Sequence, residues 1–120
     1  MADPILNLPE LNEGDPLGYI RQNNRNLVSD WFAAGGKVTA NNIAGPPGTV
    51  NRGEVWILSG SGTGQWAGYA VNTLVFALSD QPASAAGWHF LTPRYGMLVA
   101  VVAGSPTGRL WWNGTAWTVV

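Results

Sequence analysis

From Glu54 to Val120 the chain carries six tryptophans and only four charged side chains, Glu54, Asp80, Arg94 and Arg109. No other feature restricts its folding so strongly. A soluble domain normally has about a quarter of its residues charged; here the figure is 11% for all 120 residues, and the second half has fewer still. Indoles at that density either fill a core, face other copies of the chain, or form a working surface.

Apolar runs of strand length alternate with small-residue turns throughout this half. Residues 54–58 lead through Ser59–Gly64 to Gln65–Gly68, residues 74–78 lead through 79–86 to Gly87–Leu91, and Arg109–Trp112 leads through Asn113-Gly114 to 115–120. Each unit reads as a strand, a turn and a returning strand that opens at or beside a tryptophan. The units differ in length, so they form a meander of hairpins rather than a solenoid. Asn113-Gly114, flanked by apolar residues, is a type I′ turn signal. Met97–Ala103 is apolar at both parities, which predicts a strand buried on both sides. The expected fold is mainly β with one N-terminal α-helix, an antiparallel hairpin meander closing into a small sandwich- or barrel-like head.

Three regions separate by composition: an arm with an attachment or oligomerisation helix over 1–34, a Gly/Pro connector over 35–53, and the tryptophan-rich β domain over 54–120. The helix is predicted over 15–34, with Asp15 as N-cap, Pro16 in the first turn and Gly35-Gly36 as the stop. Leu17, Ile20, Asn24, Leu27 and Trp31 recur at three-four spacing, and Val28 and Phe32 widen the stripe. Two readings fit: an amphipathic helix packed on its own β-region, or an oligomer seam in which Asn24 fixes register. Ala44-Gly45-Pro46-Pro47-Gly48 sustains neither a helix nor a central strand and reads as a stiff connection.

The inventory of reactive groups is short. A net charge of −1 with scattered basic residues gives no stripe for nucleic acid. Without cysteine there is no disulfide or thiolate chemistry, and the single His89 lies in a strand between aromatics, a structural setting. Glu54 and Asp80 are the only acids of the β-region, and no sequence pattern brings them together as a catalytic pair. Gly60-Ser-Gly-Thr-Gly64 lacks the Lys-Ser/Thr and helix of a phosphate loop and reads as a turn. The expectation is a protein that is not an enzyme and takes no metal or cofactor. The start of the chain lacks a basic, then apolar, leader pattern, and Met97–Ala103 is too short for a helical span; synthesis in the cytoplasm without membrane insertion is expected.

The tryptophans then divide. Trp66, Trp88 and Trp117 are expected in the core, where a buried indole removes roughly 150–250 Å² from water. Trp111 and Trp112 are adjacent in a strand, so they point to opposite faces. One of the two must meet something outside a simple core, and the pair is the candidate intersubunit or glycan contact.

These residues also carry a resemblance. Thr63-Gly64-Gln65-Trp66-Ala67-Gly68, then Gly87-Trp-His-Phe-Leu-Thr-Pro-Arg-Tyr-Gly96, then Leu110-Trp-Trp-Asn-Gly-Thr-Ala-Trp117 resemble a domain family of tailed-phage, prophage and gene-transfer-agent virion proteins. Pro46-Pro47, Gly53 and the Leu6-Asn-Leu-Pro9 opening fit the same order. Two departures stand out: Asp15-Pro16-Leu-Gly18 replaces a Gln/Lys/His-rich stretch, and the receptor-binding extension of many members is not among the expectations for this chain. The resemblance implies a non-enzymatic virion structural protein: a short fibre, spike base or capsid-decorating module. It would be made in a bacterial host, joined to other virion proteins through its arm and self-associated, by analogy as a trimer. The alternative is a carbohydrate-binding module contacting host surface polysaccharide.

Overall fold

A computed structural model describes residues 18–120, with side chains described from Asn24 onward. Helix α1 (Gly18–Ala33) ends at two glycines that reverse the chain into the sheet. Gly35 and Gly36 have φ of 105° and 71°, the left-handed region that glycine enters without a Cβ penalty. At Gly36 a Cβ would also sit 2.9 Å from the Leu98 carbonyl oxygen. The Gly36 N–H donates to the Trp31 carbonyl (2.9 Å), and its own carbonyl accepts from Ala100 (2.8 Å). One residue therefore closes the helix and starts the ladder.

Seven strands follow: β1 (Lys37–Ile43), β2 (Val55–Leu58), β3 (Leu74–Ala77), β4 (Trp88–Leu91), β5 (Leu98–Ala103), β6 (Gly108–Trp112) and β7 (Trp117–Val119). They form one sheet in the order β4-β3-β2-β1-β5-β6-β7. The central β1 runs parallel to both neighbours. On either side of it lies a three-stranded antiparallel meander, β2-β3-β4 and β5-β6-β7. The mainly-β class with one helix is the observed one.

The sheet curls until its ends approach. In a flat sheet β3 and β7 would lie five strand spacings apart, about 24 Å. Yet the Trp117 indole N–H, at the start of β7, donates to the Asn72 carbonyl just before β3 at 3.1 Å. Inside the curl lies the larger core, with Val38, Val55, Ile57, Phe76, Val99, Val101 and Leu110 from the strands and Val28 and Trp31 from α1. Trp31 meets Phe76 edge to face at 4.9 Å, and its indole N–H donates to the Lys37 carbonyl at 2.6 Å.

A second cluster covers the outer face of the β2–β4 half. Trp56, Trp66 and Trp88 pack mutually with ring centroids 5.2–6.0 Å apart, joined by Val50, Leu58 and Val75. At about 25 cal/mol per Å² each buried indole is worth up to ~5 kcal/mol gross before ordering costs. The Trp88 indole N–H donates to Gln65 Oε1 (2.7 Å), and Gln65 Nε2 donates to the Pro82 carbonyl (3.0 Å). Trp66 is fully buried, and its N–H has no partner among the described residues.

Four expectations need correction. Residues 35–53 are not all connector: 37–43 form the central strand β1, whose polar–apolar alternation is short, Lys37-Val-Thr-Ala-Asn41, and sits between Gly35-Gly36 and the Gly45–Gly48 run that mark a connection. Two ladders and the buried Val38 hold it in place. Gln65–Gly68 is not a returning strand: Gly64–Trp66 is a 3₁₀ turn that drops Trp66 into the outer cluster, and β2 pairs with β3 instead. The last hairpin turns one residue later than a type I′ Asn-Gly. Within its loop only Gly114 has positive φ (96°), while Asn113 stands before the turn and its Oδ1 accepts from the N–H groups of Thr115 and Ala116. Finally, β5 is buried on one face only, with Leu98 and Val102 exposed. The N-cap Asp15 and Pro16 lie outside the described residues.

Phe76, fully buried beneath α1, tests this core. Phe76→Ala should cost about 3–5 kcal/mol, read as a lowered urea midpoint with the slope unchanged.

Candidate functional site

The open part of the molecule is the outer face of the β5–β6–β7 half. Val99, Val101 and Leu110 point into the core, so their neighbours Leu98, Ala100, Val102, Arg109 and Trp111 point outward. Register places Leu98 beside Trp111 and Trp111 beside Thr118, with Lys37, Ala100 and Arg109 side by side in the next row. Leu98 is 45% exposed, Val102 61% and Tyr95 76%. Tyr95 stands edge-on to Trp111, ring centroids 5.7 Å apart at 86°. An apolar row thus lies against a basic row, with an aromatic corner at one end.

Beside that corner a groove of about 420 Å³ runs along the junction of α1 and β5, lined by Phe32, Gly35, Arg94, Tyr95, Gly96, Met97, Leu98 and Arg109. No acidic side chain lines it. Its chemistry suits carboxylate-bearing or flat apolar groups rather than cations.

The adjacent pair singled out in the sequence splits as the strand pleat requires. Trp112 is the cross-strand partner of Trp117 and packs against it, 5.2 Å between centroids, on the inner side. Trp111 is on the outer face, half-buried beside Tyr95. Of the helical positions, Leu17 lies outside the described residues, as does the side chain of Ile20. Asn24 is half-buried. Leu27 and Trp31 pack on this chain's own sheet.

The two acids of the β-region come to one loop, which the sequence did not foretell. Glu54 Oε1 accepts from the Asn51 N–H (2.6 Å), and Asp80 Oδ1 accepts from the adjacent Arg52 N–H (2.7 Å). Both carboxylates thereby hold the turn that enters β2. His89 is half-buried on β4 with its ring 5.7 Å from Phe76. Among the described residues no three His, Asp or Glu side chains gather in a way that would hold a metal ion, and no helix is long and apolar enough to cross a membrane.

Sequence reasoning missed Asn41 altogether. Its Oδ1 accepts from the Ser105 N–H (3.0 Å) and its Nδ2 donates to the Pro106 carbonyl (2.9 Å), clamping the β5–β6 turn to β1. Gly104 leaves room for that side chain: a Cβ there would fall 1.8 Å from Asn41 Oδ1. The only prior signal was the pairing of a strand asparagine with a distant Gly-Ser-Pro, which has no local pattern. The Tyr69–Phe90 stack, 3.6 Å between centroids, likewise joins residues far apart in sequence.

A family model described as a protein of unknown function (DUF2793) matches residues 32–118, from the last residues of α1 into β7. The chain belongs to the DUF2793 family. Neither a curated protein nor a solved structure matches it. The DUF2793 match contains the whole curled sheet up to Thr118, the outer tryptophan cluster and the open outer face, whereas the arm and most of α1, with Trp31, lie ahead of it.

Neighbouring residues of β5 separate the two faces. Val101→Asp buries a carboxylate in the core and should abolish the folded far-UV circular dichroism spectrum. Val102→Asp, on the open face, should leave that spectrum intact.

Proposed function

We propose that this chain is a non-enzymatic structural protein of a tailed-bacteriophage virion, a short fibre, spike base or capsid-decorating module, assembled as an oligomer. The observation that carries the assembly part is the uncovered apolar face of Leu98, Val102 and Trp111 on an otherwise well-filled domain. Exposed apolar side chains grouped on one sheet face are a mark of a contact site. The virion assignment rests on the resemblance of the Thr63–Gly68, Gly87–Gly96 and Leu110–Trp117 segments. Glu54 and Asp80 are engaged as loop acceptors, which supports a structural rather than a catalytic use. A trimer follows from analogy with fibre-like assemblies, and the N-terminal arm is the attachment to other virion proteins.

One observation favours a second reading, a carbohydrate-binding module for host surface polysaccharide. Tyr95, 76% exposed, and Trp111 form a corner of two rings, and aromatic faces of this kind stack on the apolar faces of sugar rings. Glycan-array binding that disappears in Trp111→Ala with the fold intact supports this reading, and an array with no signal for the folded wild type removes it.

Light scattering on the purified chain should return a multiple of 12.7 kDa at micromolar concentration, and Val102→Asp should reduce it to the single-chain mass. A wild-type mass of one chain would sink the oligomer. Peptides of the chain should co-purify in fixed stoichiometry with virions from the source culture, and antibody labels should decorate those particles. Recovery only from the particle-free fraction removes the virion assignment.

A further inference from the structure

Strand β5 has the composition of a strand covered on both sides, yet no described element covers its outer side. Leu98, Val102 and Trp111 lie there with Tyr95 at their end. The charges beside them define the partner that fits. Lys37 and Arg109 flank Ala100 on the same face, both are exposed, and among the described residues neither has a carboxylate partner. The adjoining groove contains no acid. A fitting occupant brings leucine-sized side chains together with carboxylates. A second copy of this same face does not qualify: a two-fold contact would set the Lys37–Arg109 row against itself, like charge to like.

The chain carries a matching segment outside the described residues. Residues 1–17 contain Asp3, Glu10, Glu13 and Asp15, no lysine or arginine, and the apolar side chains Ile5, Leu6, Leu8 and Leu11. We propose that this arm of one copy lies across the Leu98–Val102–Trp111 face of a neighbouring copy, its carboxylates beside Lys37 and Arg109. The inference rests on the oligomer reading given above.

Geometry favours the neighbour over the arm's own chain. Helix α1 packs on the inner face of the sheet, and the open patch is on the outer face. The groove lies at the C-terminal end of α1, beside Phe32 and Gly35, whereas the arm joins the other end, about 24 Å away for 16 residues. To reach its own patch the arm would spend about seven extended residues retracing the helix and more rounding the sheet edge. Leu11 would be consumed along a helix surface of Asn26, Ser29 and Asp30. A neighbour's patch imposes no such detour.

The cysteine-free chain allows a direct test. A nitroxide is attached to full-length Asn7→Cys, a polar position among the arm's leucines, in chains without isotope label. These are mixed in denaturant with ¹⁵N-labelled chains that carry no nitroxide, and the two are refolded together. Amide signals of Leu98, Val102 and Trp111 in the labelled chains should be lost, and they should return when the nitroxide is reduced. Lys37→Glu with Arg109→Glu in the labelled chains should abolish that loss, and Glu10→Lys with Glu13→Lys in the arm should restore it.

Three results overturn the proposal: loss only when nitroxide and ¹⁵N share one chain, loss centred on other residues, or no loss in a sample that light scattering reports as oligomeric. Each of these leaves the oligomer reading standing. A single-chain mass in the same sample instead removes that reading and the inference with it.

Discussion

Parallel pairing on both sides of β1 is the constraint from which the rest of the architecture follows. A parallel neighbour cannot be reached through a tight turn. Residues 44–54 must therefore carry the chain from the end of β1 back to the start of β2, outside the plane of the sheet. They pass over the outer face and deliver Val50 to the indole cluster. The helix, arriving at the start of β1 through Gly35-Gly36, takes the inner face. The direction of one seven-residue strand thus decides which layer lies on which side.

Curling the sheet makes the two faces unequal. The concave side is filled by α1 and inward side chains and sealed where Trp117 reaches Asn72. The convex side is larger and is covered only where chain is available to cover it. Trp56, Trp66 and Trp88 reconcile low charge with burial on the β2–β4 half, since the edge-to-face contacts of Trp88 with Trp56 and with Trp66 each add about 0.5–1.5 kcal/mol beyond area burial. Their polar handles receive different treatment. Gln65 satisfies Trp88, whereas the Trp66 N–H has no partner among the described residues.

What the sequence made legible follows from local rules. Apolar runs of strand length between small-residue turns marked β2, β3, β4 and β6, the double glycine marked the end of α1, and adjacency alone put Trp111 and Trp112 on opposite faces. The strand that organises the sheet was hidden because Lys37–Ile43 owes its place to two ladders and to the Asn41 clamp, both long-range. The same reason hid the convergence of Glu54 and Asp80 on adjacent amides. Gln65–Gly68 misled because a tryptophan after a glycine turn fits a hairpin as well as it fits a 3₁₀ plug. The open face was legible only in part: the double-sided apolar run of β5 announced cover on both sides, and sequence could not say that the described chain supplies only one.

Connection lengths explain why that cover is missing. The β2–β4 half is joined by long segments, 44–54, 59–73 and 78–87, and these bring Val50, Trp66 and Gln65 over its outer face. The β5–β7 half is joined by 104–107 and 113–116, tight turns with no residues to spare. Such a half-sheet cannot cover its own outer face, whatever its side chains. A face meant for water would carry mainly polar residues; here Leu98, Val102 and Trp111 share it with Lys37, Arg109 and Thr118. Short turns with apolar outward residues are the combination of a surface completed by another piece of chain. The charge-poor, indole-rich half is therefore two solutions joined at β1: one side supplies its own cover, and the other is shaped to receive it.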